Sequence, residues 1–172
     1  MLRPILLAVA CALCFSPPGT GSENAVKHRI LFAEYGKGPN RLVELDADGK
    51  LVWEYKLPSI SVIFQVLASG NIVYAYGGNP TGVAEINRDG KIVWNYVSKC
   101  PQVLGCQRLP SGNTVFCVYL GHGHLGEQPQ VIEVTRDKRV VWQVADHAQF
   151  KTINQIQLLD VKGDVTKGEI LR

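Results

Sequence analysis

His122 and His124 carry the sharpest chemical suggestion in this chain. They lie in Gly121-His122-Gly123-His124-Leu125-Gly126-Glu127. In extended backbone, residues i and i+2 point to the same side, so two imidazoles there can share a metal ion. Glu127 is available as a third ligand, and the flanking glycines let the segment approach a substrate closely. His122 and His124 are therefore the metal candidates, weighed against a solvated, glycine-rich loop, which is the commoner meaning of a lone His-x-His pair. His147 and Arg108 are further polar groups that could meet a small molecule. Gln65, Gln107 and Gln157 recur at equivalent places. They either line a common axis or hydrogen-bond to a neighbouring unit, and the second reading is preferred. Nucleophile elbows, phosphate loops and Cys-x-x-Cys pairs are absent from the sequence, and no cofactor is specified.

Cysteine chemistry depends on compartment. Met1-Leu2-Arg3 is a short basic start, 5–15 is almost entirely apolar, and Ser16-Pro17-Pro18-Gly19-Thr20-Gly21-Ser22 breaks the run. A basic head, a short apolar core and a small-residue exit describe a secretory signal peptide over 1–21. The apolar run falls short of the ~20 residues that span a bilayer. A lipid anchor at Cys11 or Cys14 is disfavoured by the short apolar stretch before Cys11 and the bulky Leu13 before Cys14. The mature domain, 22–172, is expected to be periplasmic or extracellular with no further membrane span. Export permits disulfides. Cys100 and Cys106 flank Pro101-Gln102-Val103-Leu104-Gly105, read as a loop that a disulfide could staple, with unpaired small hydrophobes as the favoured alternative. Cys117, inside the apolar run 114–120, is read as a buried free thiol. The formal net charge is +3 without a Lys/Arg block, so a nucleic-acid partner is not expected.

The elements that must position these groups come in repeats. Leu42-Val43-Glu44-Leu45-Asp46-Ala47-Asp48-Gly49-Lys50-Leu51-Val52-Trp53 matches Val83-Ala84-Glu85-Ile86-Asn87-Arg88-Asp89-Gly90-Lys91-Ile92-Val93-Trp94. Both match Val131-Ile132-Glu133-Val134-Thr135-Arg136-Asp137-Lys138-Arg139-Val140-Val141-Trp142. All three tryptophans of the chain occupy one place in the repeat, 41 and then 48 residues apart. A second motif interleaves. Gln65-Val66-Leu67-Ala68-Ser69-Gly70-Asn71 matches Gln107-Arg108-Leu109-Pro110-Ser111-Gly112-Asn113, and Gln157-Leu158-Leu159-Asp160 opens a further copy.

Short Val-, Ile-, Tyr- and Trp-rich runs bounded by Asp-Gly and Ser-Gly-Asn turns read as β-hairpins. Two hairpins per repeat give four strands, the content of one propeller blade. The tryptophan in each last strand is expected to fill the gap between consecutive sheets.

The Asp-Gly-Lys-x-x-Trp pattern resembles the repeats of pyrroloquinoline-quinone-like β-propellers. Leu109-Pro110-Ser111-Gly112-Asn113-Thr114 resembles a turn of arylsulfotransferase-like propellers. The resemblance covers nearly the whole mature chain. This sequence departs from the quinoprotein repeat where Asn87 and Thr135 stand at the place of Asp46, and where the third turn, Asp137-Lys138-Arg139, has no glycine.

The expected fold is all-β: a propeller-like repeat of four-stranded blades, about three in number. The first blade lacks its opening strand, and 153–160 is expected to form a spare one. Closed propellers have about 4–8 blades. The chain is thus expected to be an open arc, a shortened family member, or half of a homodimer that closes the ring. The resemblance implies either of two functions. One is an exported non-catalytic scaffold binding a protein, peptide or glycan. The other is an arylsulfotransferase-like or quinoprotein-related enzyme acting on small molecules, the former using His and Arg at the mouth of the channel.

Overall fold

The computed structural model describes residues 27–61, 63–120 and 123–160. The proposed signal segment, His122 and the end of the tail lie outside them. All regular secondary structure among the described residues is β. The strands are β1 (Ile30–Glu34), β2 (Arg41–Leu45), β3 (Leu51–Lys56), β4 (Phe64–Val66), β5 (Ile72–Tyr76), β6 (Thr81–Ile86), β7 (Ile92–Ser98), β8 (Gln102–Arg108), β9 (Thr114–Tyr119), β10 (Val131–Val134) and β11 (Val140–Val144). They form three antiparallel meanders, β1-β2-β3, β4-β5-β6-β7 and β8-β9-β10-β11. The expected three blades, the first without an opening strand among the described residues, are therefore present.

With strands numbered 1–4 within a blade and β1 counted as strand 2 of the first, the 3–4 hairpins are β2-β3, β6-β7 and β10-β11, and each turns on the same device. The Asp46 carboxylate accepts the main-chain N–H groups of Asp48 and Lys50, both at 2.9 Å. Asn87 accepts Asp89 N–H at 3.1 Å and Lys91 N–H at 2.8 Å. The Thr135 hydroxyl accepts Arg139 N–H at 3.1 Å. Asp, Asn and Thr all supply the side-chain oxygen this turn needs, so the sequence departures at 87 and 135 leave the hairpin intact.

The lost glycine has a cost. Gly49 and Gly90 hold φ of 79° and 76°, and Lys138 holds 69° at the same place. A side chain in this left-handed region is disfavoured by about 1 kcal/mol. Lys138→Gly is therefore expected to raise stability by about 0.5–1 kcal/mol, read from the urea midpoint at unchanged slope.

Strand alternation divides the core between the two sides of the middle sheet. Ile72, Tyr74 and Tyr76 of β5 face the first blade and pack with Leu42, Leu57 and Ile86. Val73 and Ala75 face the other way and pack with Val103, Cys106, Phe116, Val118 and Ile132 of the third blade. A sheet buried on both faces has no need of polar alternation, which explains the nearly unbroken apolar run of β5.

Two expectations are corrected. Residues 102–105 belong to β8, because Val103 and Cys106 are wanted in the inter-blade core; Cys100, Cys106 and Cys117 are all free and buried. The segment 153–160 enters no sheet. It lies instead across the outer face of the third blade, where Ile153, Ile156 and Leu158 cover Val115, Cys117 and Val131.

Candidate functional site

The charged groups divide between the two ends of the blades. Because the strands are antiparallel, the 1–2 and 3–4 turns share one end. The 2–3 and 4–1 connections share the other.

At the turn end, Glu44, Glu85 and Glu133 occupy one repeat position, and in every sheet the register shifts immediately after that glutamate. Such a bulge twists the strand and re-aims its side chains. The buried Glu44 carboxylate meets Arg29 and, at 2.6 Å, Arg88. The Glu85 carboxylate is 6% exposed and receives Asn71 at 2.8 Å, Arg108 at 2.9 Å and Arg136. Glu133 receives only Asn113, at 2.7 Å, among the described residues.

Burial works to raise the Glu85 pKa, but hydrogen bonds from Asn71 and Arg136 and the nearby arginine charges outweigh it and hold the carboxyl below its ordinary value. Glu44 is held low in the same way, by Arg29 and Arg88 against burial.

The tryptophans complete this lattice. Trp53 Nε1 donates to the Arg88 carbonyl of the next blade at 2.8 Å. Trp94 Nε1 donates to the equivalent Arg136 carbonyl, also at 2.8 Å. The Arg88 guanidinium lies 4.9 Å from the centroid of the Trp53 ring. The Arg108 guanidinium lies 4.4 Å from that of Trp94. Gln65 Oε1 accepts Arg108 N–H at 2.7 Å, and Gln107 Oε1 accepts Leu158 N–H at 3.4 Å. The repeated glutamines thus bond to the next unit, and Gln157, at the end of the series, is exposed. Arg108 is committed to Glu85 and to the Gly112 carbonyl.

The repeated glutamate and the arginine of the second and third turns were visible as a pattern in the sequence. Their joint role needs the blade stacking to be known.

At the loop end, a cleft of about 550 Å³ opens between the second and third blades. Asn79, Pro80, Val97, Lys99, His124 and Glu127 are among its lining residues. Its buried polar groups are already engaged. Thr81 Oγ1 donates to the Tyr76 carbonyl at 2.8 Å and accepts Val103 N–H at 3.0 Å. Ser98 Oγ donates to Cys100 Sγ at 3.0 Å.

Asn79, Lys99 and Glu127 are exposed and His124 is half-buried. His124 Nδ1 and Glu127 Oε2 lie 2.9 Å apart. The structure therefore joins His124 to Glu127, while His122 falls outside the described residues. No group of three His, Cys, Asp or Glu side chains gathers in metal-binding geometry among the described residues.

His147 follows β11 at the same end. It is half-buried, and its Nδ1 is enclosed without a hydrogen-bond partner among the described residues. Burial pushes the Cys106 thiol up to about 12 and the Cys117 thiol up to about 11, so both stay protonated at neutral pH and behave as packing groups.

A protein-family model described as outer membrane protein assembly factor BamB, of the PQQ type, matches residues 15–166. Comparison with curated proteins finds no match. Among solved structures, a protein of unknown function from Bacteroides caccae is similar at 23% identity and a TM-score of 0.62 over 74% of this chain and 49% of that one. A streptogramin B lyase structure is similar at 17% identity and a TM-score of 0.43 over 59% of this chain and 32% of that one. The chain thus spans about half the length of the first of these structures. The stacked meanders, the tryptophans bridging them and a family match over most of the sequence lead to one assignment: this chain belongs to the PQQ-like, BamB-type β-propeller repeat family.

Proposed function

We propose that this chain is an exported, non-catalytic β-propeller module that binds a protein, peptide or glycan through its loop-end cleft. One observation carries the reading: the division of polar groups. The buried ionisable groups Glu44, Glu85 and Arg108 serve the joints between blades. The cleft offers the exposed polar groups of Asn79, Lys99 and Glu127 over buried groups whose hydrogen bonds are made within the chain, which suits recognition of an extended polar ligand. The family description as an assembly factor agrees with a scaffold, and its outer-membrane setting agrees with the basic-apolar leader.

The enzymatic alternative rests on the His124–Glu127 pair, since a carboxylate on one ring nitrogen orients the other for proton transfer or metal ligation. Equilibrium dialysis with Zn²⁺ and with pyrroloquinoline quinone separates the two readings, alongside peptide and glycan arrays. The expected result is no stoichiometric uptake of either, with array ligands weakened at least about tenfold by Lys99→Glu. That substitution is at an exposed site and should change stability by no more than about 0.5 kcal/mol. One zinc per chain, lost in both His122→Ala and His124→Ala, would overturn the proposal in favour of the enzyme.

A further inference from the structure

The outer face of the third blade repeats a docking surface that is used twice inside the chain. Where Trp53 and Trp94 reach the next hairpin, Trp142 is 48% exposed and its Nε1 has no partner among the described residues. Glu133 stands where Glu44 and Glu85 receive the next blade's arginine. Trp142 and Glu133, with Leu109, Leu158 and Asp160, line an open groove of about 510 Å³. Beside it, 153–160 already sits as the opening strand of a following blade would. Its Leu158 N–H meets Gln107 as Arg108 N–H meets Gln65.

The other end of the arc is the complement. The first sheet has three strands among the described residues, and within these the outer edge of β1 is unpaired. Leu31, Phe32, Ala33, Tyr35, Ile60 and Phe64 line a groove of about 390 Å³ along that edge, next to β4. One end holds a segment at the place of an opening strand, and the other holds a sheet whose opening strand is absent among the described residues.

We propose that a second copy of this chain docks its first sheet on the third sheet of the first copy. The contact is made twice, and it closes two three-bladed arcs into one six-bladed ring. A head-to-tail contact that returns on itself after two copies gives a closed dimer, and six blades fall within the range in which propellers close. The occupant is chosen by continuity with the joints inside the chain. The hairpin presented to Trp142 would be 46–50, whose second residue, Ala47, offers the carbonyl that Arg88 and Arg136 offer elsewhere.

Ala47 lacks their guanidinium, so Glu133 gains no ion pair. A partly exposed pair of that kind is worth about fivefold in affinity. The strand completed along β1, the tryptophan hydrogen bond and the apolar grooves outweigh it, because they comprise a row of main-chain bonds and much of the contact area.

Sedimentation equilibrium of the purified full chain, from about 1 to 100 μM, tests this. The expected result is a dimer whose dissociation constant rises at least about tenfold in Trp142→Ala. Ala47→Arg should tighten it about 25-fold, about fivefold for each of the two contacts, a gain that misfolding cannot produce, and Glu133→Gln should cancel that gain. A single-chain mass at 100 μM would overturn the proposal and leave the groove to another partner. A dimer indifferent to Trp142, or an Ala47→Arg effect independent of Glu133, would overturn it equally, because the association would then use a different surface.

Discussion

Glu85→Ala is expected to cost about 3–5 kcal/mol of unfolding free energy, the range for removing one partner of a buried ion pair. The Arg108 side chain is 7% exposed. Without Glu85 its guanidinium keeps the Gly112 carbonyl at 2.7 Å and the Trp94 face, but loses its counter-charge. Arg136 is half-exposed and can turn to water, so most of the penalty arises at Arg108. Urea unfolding at pH 7 measures the loss. Replacing Glu85 and Arg108 together by Met should recover much of it, because no buried charge remains. If Glu85→Ala lost less than about 1 kcal/mol, the pair would not be buried as described.

The same group sets an acid limit. The Glu85 carboxyl is held below the ordinary glutamate value of about 4.3. Its stabilising contribution is therefore complete above that value and is lost as pH falls through the depressed folded value. Wild-type stability should fall below about pH 4.3, and Glu85→Gln should flatten part of that slope. Glu44 is depressed likewise and should retain the remainder.

These joints mark the limit of what could be read from residues alone. The three hairpins were legible because Asp-Gly turns and alternating apolar runs are local signals, and the missing opening strand of the first blade followed from counting them. The extension of β8 through 102–105 was not legible. Pro101 and Gly105 suggest a loop, whereas the apolar contacts of Val103 and Cys106 with the second blade override that local signal.

The tail had the opposite fault. Residues 153–160 carry a strand-like sequence, but a strand needs a neighbour to pair with, and the described chain offers none there. At the candidate site, the glutamate repeat is present in the aligned segments, but its role is not legible there. A recurrent Glu reads as solvated until the bulge after it is seen to turn it towards the next blade. The His-x-His spacing suggests a shared metal, whereas among the described residues the structure ties His124 to Glu127 alone.

Trp94→Ala is expected to lose about 3–5 kcal/mol, as large aromatic truncations in cores do, while Trp142→Ala should lose no more than about 0.5 kcal/mol. The two residues are interchangeable in sequence. Their environments differ, since Trp94 is 7% exposed, donates to Arg136 and has Arg108 on its face, whereas the Trp142 ring is 48% exposed and meets no next hairpin among the described residues. Trp53, bonded to Arg88 but half-buried, should fall between them. The comparison belongs at sub-micromolar protein, where association contributes least to apparent stability. Equal losses at all three positions would mean that the tryptophans act within their own sheets. A graded loss that follows the presence of the next blade would show that each ring serves as a joint, and that Trp142 is a joint still open.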